Sequence, residues 1–352
     1  MPLRFALPAL AAALFFGAST PLAKLLTVSM PPLLLAGLLY LGSGFGLGLL
    51  LVLRRVRERR HAHAVTQLHI SRAEMPWLLG AIVAGGVLGP ALFMLGLVQT
   101  GAAWASLLLN LEGMLTALLA WLVFRENADS RIVLGMVAIA LGGVLLSWQP
   151  GAVALSPGAA LIAGACLCWA LDNNFTRKVS NNDALLLACL KGLLAGVTNT
   201  GIALASGAAL PALLDVGYAA VVGFLGYGLS LVLFVVALRT LGAARTGAYF
   251  SVAPLFGVVI SLAIWPSSPG LLFWVSAALM GLGVWLHLTE RHTHTHTHEP
   301  LWHSHPHQID AHHPHAHDAA WVGQTSDVHL HKHEALTHTH AHYPDIHHRH
   351  SH

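Results

Sequence analysis

Residues 33–60, LLLAGLLYLGSGFGLGLLLVLRRVRERR, decide the fold. Twenty-one apolar or small residues, 33–53, run without a charge and stop at five arginines within seven positions: Arg54, Arg55, Arg57, Arg59 and Arg60. An apolar run of about 20 residues is long enough to cross a bilayer core as a helix. Basic residues at its end belong on the cytoplasmic face. The same pattern recurs along the chain and predicts spans at 5–27, 33–53, 75–98, 102–124, 130–147, 157–177, 184–206, 215–238, 243–265 and 270–289. Of 352 residues, 55% are hydrophobic and 9% charged, too few charges to cover a water-soluble protein. The unbroken Leu/Ala/Val/Gly runs suit helices and lack the strict alternation of barrel strands. The first span is too long for a cleavable signal peptide.

Positive charge falls on alternate loops. Arg4, the 54–60 cluster, Arg72, Arg125, Arg131, Arg177, Lys178, Arg239, Arg245 and Arg291 all share one side in a ten-span reading. The loops at 28–32, 99–101, 148–156, 207–214 and 266–269 contain no Lys or Arg. This bias predicts that both termini are cytoplasmic. Lys24 and Lys191 lie within spans.

The halves also match each other. Gly101–Leu115 reads against Gly242–Phe256 at a constant offset of 141, and Gly143-Val144 against Gly283-Val284. Five spans per copy is an odd number, so the second copy enters upside down. Charged and uncharged loops should then swap between copies, and they do. The predicted fold class is an all-α membrane protein of ten transmembrane helices in two inverted five-helix repeats, 5–147 and 157–289. A disordered cytoplasmic tail, 290–352, follows.

With this order and spacing, Phe16-Gly17-Ala18-Ser19 and Lys24 in span one, Arg125-Glu126 closing span four, Cys168–Asn174 in span six and Ala253–Gly257 in span nine carry a family likeness. The chain resembles the drug/metabolite transporter superfamily, in its EamA-domain branch, over residues 5–289. Two features depart: the family's usual proline in span four is replaced, with Gly113 opposite Pro254 and Glu112 opposite Ala253, and no counterpart of Glu126 follows span nine, where Pro266-Ser267 stands. The resemblance implies a bacterial-type inner-membrane (plasma-membrane) permease or exporter. It would move a small metabolite or drug-like solute by alternating access, with a small-molecule substrate and membrane lipid as partners, no nucleic acid, and a homodimer as a compatible assembly.

An ionisable residue inside a span costs a few kcal/mol, so it needs a partner, water or a function. Glu112 lies near the middle of span four, with Thr116 one turn on and Asn110 and Ser106 on an adjacent stripe. It reads as a cation or proton site, or else as a fixed ion pair or a helix–helix hydrogen bond. Lys191 shares a stripe with Thr198 and Asn199; it would bind an anionic group, neutralise Glu112, or snorkel to the interface. Asp172, Asn173 and Asn174 would line a cavity mouth, or pair with Arg177 or Lys178. Trp104, Trp169, Tyr227 and Tyr249 would stack on a substrate or anchor span ends. The glycines at 142–143, 223, 226 and 228 should let helices approach, and Cys166, Cys168 and Cys189 read as structural thiols. No nucleophile–base constellation and no phosphate-cradling loop points to an enzyme, and no cofactor is required.

The last segment differs in kind. Residues 292–352 hold 21 of the 25 histidines, two basic and six acidic side chains. Neutral imidazole binds Zn, Ni, Co and Cu, which makes His292, His294, His296, His298, His303, His305, His307, His312, His313, His315 and His317 candidate ligands. The rival reading is a pH-dependent element. His61, His63 and His69, in the arginine-rich loop, would cooperate with the tail on one face or stand as solvated bystanders. Two alternative functions therefore stand beside the permease: a divalent-metal transporter and a membrane-anchored metal buffer or sensor.

Overall fold

The computed structural model of the chain describes residues 6–60, 72, 74–123, 130–147, 156–179, 183–241, 246, 249–288, 292–298, 301–307, 327–333 and 336–342. Ten helical segments stand among the described residues. They are α1 (Leu7–Leu26), α2 (Pro32–Arg60), α3 (Met75–Ala81 and Gly89–Gln99, joined by the π-helical stretch Ile82–Leu88), α4 (Ala102–Leu108 and Asn110–Leu122) and α5 (Ser130–Ser147). They continue with α6 (Pro157–Lys178), α7 (Ala184–Ala205), α8 (Leu213–Gly223 and Ser230–Leu241, joined by the π-helical stretch Phe224–Leu229), α9 (Ala253–Ile264) and α10 (Leu271–Leu288). Seven of them are long and apolar enough to cross a membrane; α9 and α10 are shorter apolar helices. Large apolar side chains face outward, Phe45, Leu213, Val259 and Trp285 among them. A surface of that kind belongs in lipid.

Local chemistry sets several helix ends. Proline opens α1, α3 and α9, where its missing N–H costs nothing. Asp183 caps α7, its Oδ1 accepting from the N–H groups of Leu185 (2.9 Å) and Leu186 (3.4 Å). Its other carboxylate oxygen pairs with Arg54 at 2.8 Å, tying α2 to α7. Gly207, at φ +87°, closes α7: its N–H and that of Ala208 return to the carbonyls of Leu204 and Ala203.

The halves interlock. Helix α2 packs on α7, α5 on α10 and α4 on α9; α3 packs on α6 as α8 does on α1, and α4 on α6 as α9 does on α1. Exchanging α1–α5 with α6–α10 maps the first three pairs onto themselves and interchanges the others. Small residues permit the approach. A Cβ on Gly192 would stand 2.9 Å from the Gly44 backbone, and one on Gly283 would stand 2.6 Å from the Gly135 carbonyl oxygen.

Three expectations change. The arginine-rich segment read as a loop from residue 54 continues α2 as helix to Arg60, because Arg and Glu favour helix and long cationic side chains reach water from a helix end. Spans three and eight each carry a π-helical stretch. Span four is not continuous but turns at Leu109, and a turn at Ser251-Val252 precedes α9. Among the described residues of the tail stand four strands: β1 (His292–His298), β2 (Leu301–His307), β3 (Asp327–His333) and β4 (Leu336–His342). Strand β1 pairs antiparallel with β4, and β2 with β3. The His-Thr alternation has the period of a strand.

Candidate functional site

Where the halves meet, α4, α6 and α7 bring three charged side chains together. Glu112 occupies the first turn of the second half of α4, where a helix N-terminus favours negative charge. The turn at Leu109 leaves carbonyls without their usual helical partners. Asn110 Nδ2 donates to Leu107 O at 2.8 Å, and the Cys166 thiol lies 3.7 Å from Leu108 O. Asn110 thus serves the break in its own helix.

Glu112 is half-buried, and its carboxylate accepts from Asn173 Nδ2 at 3.0 Å. The same amide reaches Thr116 Oγ1 at 3.3 Å, and that hydroxyl donates to Glu112 O at 2.8 Å. Asn174 completes the seam, its amide donating to Thr116 O (3.2 Å) and Ala170 O (2.9 Å). Among the described residues no basic side chain pairs with Glu112.

Lys191 pairs instead with Asp172, one residue from the asparagine that holds Glu112. Asp172 is 6% exposed and also accepts from Thr176 Oγ1 at 3.0 Å. The sequence offered Lys191 as a partner for Glu112 and Arg177 or Lys178 as partners for Asp172. The structure joins Lys191 to Asp172 because residues 172 and 191 face each other across the α6–α7 pair.

The π-helical stretch of α3 is the third wall. Its carbonyls are taken by side chains from elsewhere: Tyr40 Oη and Trp169 Nε1 each donate to Gly85 O at 3.0 Å. Asn199, fully buried, lies with Nδ2 3.4 Å from Gly86 O and 3.3 Å from Val87 O, while its Oδ1 has no partner. Asp172 lies so close to Gly85 that no side chain fits there. From Tyr40 the aromatic row continues to Tyr227 (5.6 Å between ring centres), then Phe16 (6.2 Å) and Phe250 (5.5 Å).

The candidates therefore divide. Glu112, Thr116, Asp172, Asn173, Lys191 and Asn199 converge, whereas Thr198 is exposed and returns its hydroxyl to Leu194 O. Tyr249, partly exposed, lies outside the aromatic row; its neighbour Phe250 is the residue that joins it. Trp104 packs on Phe273 at 4.8 Å, away from this centre. Lys24 donates to Leu97 O and Val98 O at the end of α3. Tyr40 and Phe16 were missed as site residues. The glycine pair Gly85-Gly86 was the available sign of close backbone approach in span three. Cys166 and Cys189 are buried free thiols, and Cys168 is partly exposed.

Among the described residues no group of three His, Cys, Asp or Glu side chains could hold a metal ion. In the tail, residues 292, 294 and 296 stand opposite 342, 340 and 338, a histidine at each of these six positions. In the second ladder His303 stands opposite His331 and His305 opposite His329. His312, His313, His315, His317, His61, His63 and His69 lie outside the described residues, as do Arg125 and Glu126.

A helical bundle of this length and polarity, with charged groups enclosed between two interlocked halves, is the architecture of a multi-pass membrane transporter. The EamA-like transporter family matches residues 4–148 and again 156–289, and the chain belongs to that family. An "Uncharacterized transporter" of Methanothermobacter thermautotrophicus is 29% identical over 285 residues, covering 78% of this chain and 83% of its own. "Uncharacterized transporter YyaM" of Bacillus subtilis is 27% identical over 207 residues, covering 55% of this chain and 67% of its own. One solved crystal structure superposes with a TM-score of 0.58 at 18% identity, covering 81% of this chain and 95% of the other, a likeness of fold alone.

Proposed function

We propose that the protein is a non-enzymatic permease of the plasma membrane, with both termini on the cytoplasmic face. It would carry a small solute by alternating access between inverted halves. The observation that carries this reading is the placement of Glu112. A half-buried carboxylate stands at the interrupted turn of α4, held by an asparagine of α6, where the halves meet. Discontinuous helices at the interface of two repeats are a recurring way to build a transport site, because interrupted turns expose backbone groups and can rearrange without unfolding the span. The π-helical stretches of α3 and α8 stand at matching places in the two halves and offer further points of adjustment. Glu112 would take up and release a cation or proton as the halves rock. The arginine bias of the loops supports the orientation.

The test is trans-stimulated uptake into proteoliposomes of the full chain, using radiolabelled amino acids, amines, nucleosides and Zn²⁺. A carrier accelerates uptake of at least one compound when the same compound is preloaded inside. Uptake of every compound at the rate of empty liposomes would contradict the proposal.

A further inference from the structure

The charges of the central cluster do not balance. Lys191 is engaged by Asp172, and no basic side chain among the described residues pairs with Glu112, so the three together carry one negative charge when both carboxyls are ionised. Asn173 neutralises nothing; it only donates a hydrogen bond. Asn173 is nevertheless exposed, although its neighbours Asp172 and Asn174 are buried, so the amide that holds Glu112 stands at an accessible edge of the cluster.

What borders that edge is aromatic. Trp169 lies one turn before Asn173 on α6 and so shares its face. It meets Tyr40 at the Gly85 carbonyl, and Tyr40 leads to Tyr227 and Phe16. Tyr40 also lies within electrostatic range of both Glu112 and Asp172. An aromatic ring face attracts a cation and an apolar body alike.

Resting on the carrier reading above, we infer that the solute is a monovalent organic cation with an apolar or aromatic body. Its charged group sits at Glu112 and its body lies along Trp169, Tyr40, Tyr227 and Phe16. An anion would meet an uncompensated carboxylate. A neutral solute would leave that carboxylate without a counter-charge. A divalent metal ion would find one carboxylate and amide groups where it needs several hard ligands.

The test uses the proteoliposome assay with sets of compounds matched in shape and different in charge: tryptamine, N-acetyltryptamine and indole-3-acetate, with parallel sets built on phenethylamine and hexylamine. The expected result is trans-stimulated uptake of at least one amine about tenfold above its neutral and anionic analogues, since one charge contact at a partly screened site is worth roughly that factor. Glu112→Gln should remove the preference and Glu112→Asp should keep it. Asp172→Asn should also weaken amine uptake about tenfold, because the freed Lys191 then neutralises Glu112, and adding Lys191→Met should restore it. Equal trans-stimulated uptake of neutral or anionic analogues would overturn the inference while leaving the carrier intact. So would an Asp172→Asn/Lys191→Met protein no better than Asp172→Asn. Loss of trans-stimulation across all compounds, including those of the first assay, would remove the carrier reading as well.

Discussion

The two interrupted helices are related by the internal duplication, yet they are used differently. In α9 the interruption is closed. Pro254 opens the new helix, and α1 presses against it so tightly that a Cβ on Gly17 would stand 2.1 Å from Ala253 O. In α4 the interruption is open and charged. Glu112 takes the place corresponding to Ala253, Gly113 that of Pro254, and a Cβ on Gly113 would meet nothing within 4 Å. One copy has kept a packed joint, and the other carries the ionisable group. A duplication needs only one copy to bear the chemistry, provided the other keeps the geometry.

The contrast can be broken most severely at the charged centre. Lys191→Met leaves Asp172 buried without its counter-charge and should cost about 3–5 kcal/mol, whereas Asp172→Asn/Lys191→Met should recover most of that. Thermal unfolding of the purified protein in detergent compares the two. A single variant as stable as the double would show that the pair carries no net weight.

At the closed joint, Gly17→Val should cost about 3 kcal/mol, because the obstruction is backbone and cannot turn aside. Wild-type stability in the same assay would mean that α1 and α9 separate easily. A smaller effect is expected where the second half depends on a cap. Asp183→Ala should cost about 1 kcal/mol through loss of the α7 cap, more than Arg54→Ala, whose ion pair is partly exposed. The reverse order would show that the inter-helix pair outweighs the cap. The smallest change should come at the open joint: Gly113→Ala should be neutral or stabilise by up to about 1 kcal/mol. A clear loss of stability there would erase the difference between the two joints.

Much of this arrangement was legible in the chain. The apolar runs fix where helices stand, because lipid leaves the backbone no other partner. Both joints fall inside runs read as single spans, 102–124 and 243–265; Pro254 was the available sign of the closed one. Leu107 to Leu111, broken only by Asn110, reads as plain helix, and the single clue is a side chain that competes for backbone carbonyls. Glu112 stood out because a charge in an apolar span is rare. Its isolation did not, because partners are set by which helix faces which, and Lys191 finds Asp172 rather than Glu112 only once α6 and α7 are packed. The role of Tyr40 was equally hidden: its hydroxyl meets a carbonyl released by the π-helical stretch of α3, and nothing in the sequence marks that stretch except Gly85-Gly86.

The central claim is that the open joint lies on a path reached in turn from both faces of the membrane. It is tested most directly by placing a single thiol there, as Asn173→Cys in a background of Cys166→Ala, Cys168→Ala and Cys189→Ala, and reacting it with a membrane-impermeant reagent in right-side-out and inside-out vesicles. The account predicts labelling from both faces, at different rates. Labelling confined to one face at every reagent concentration, or absent from both, would contradict it.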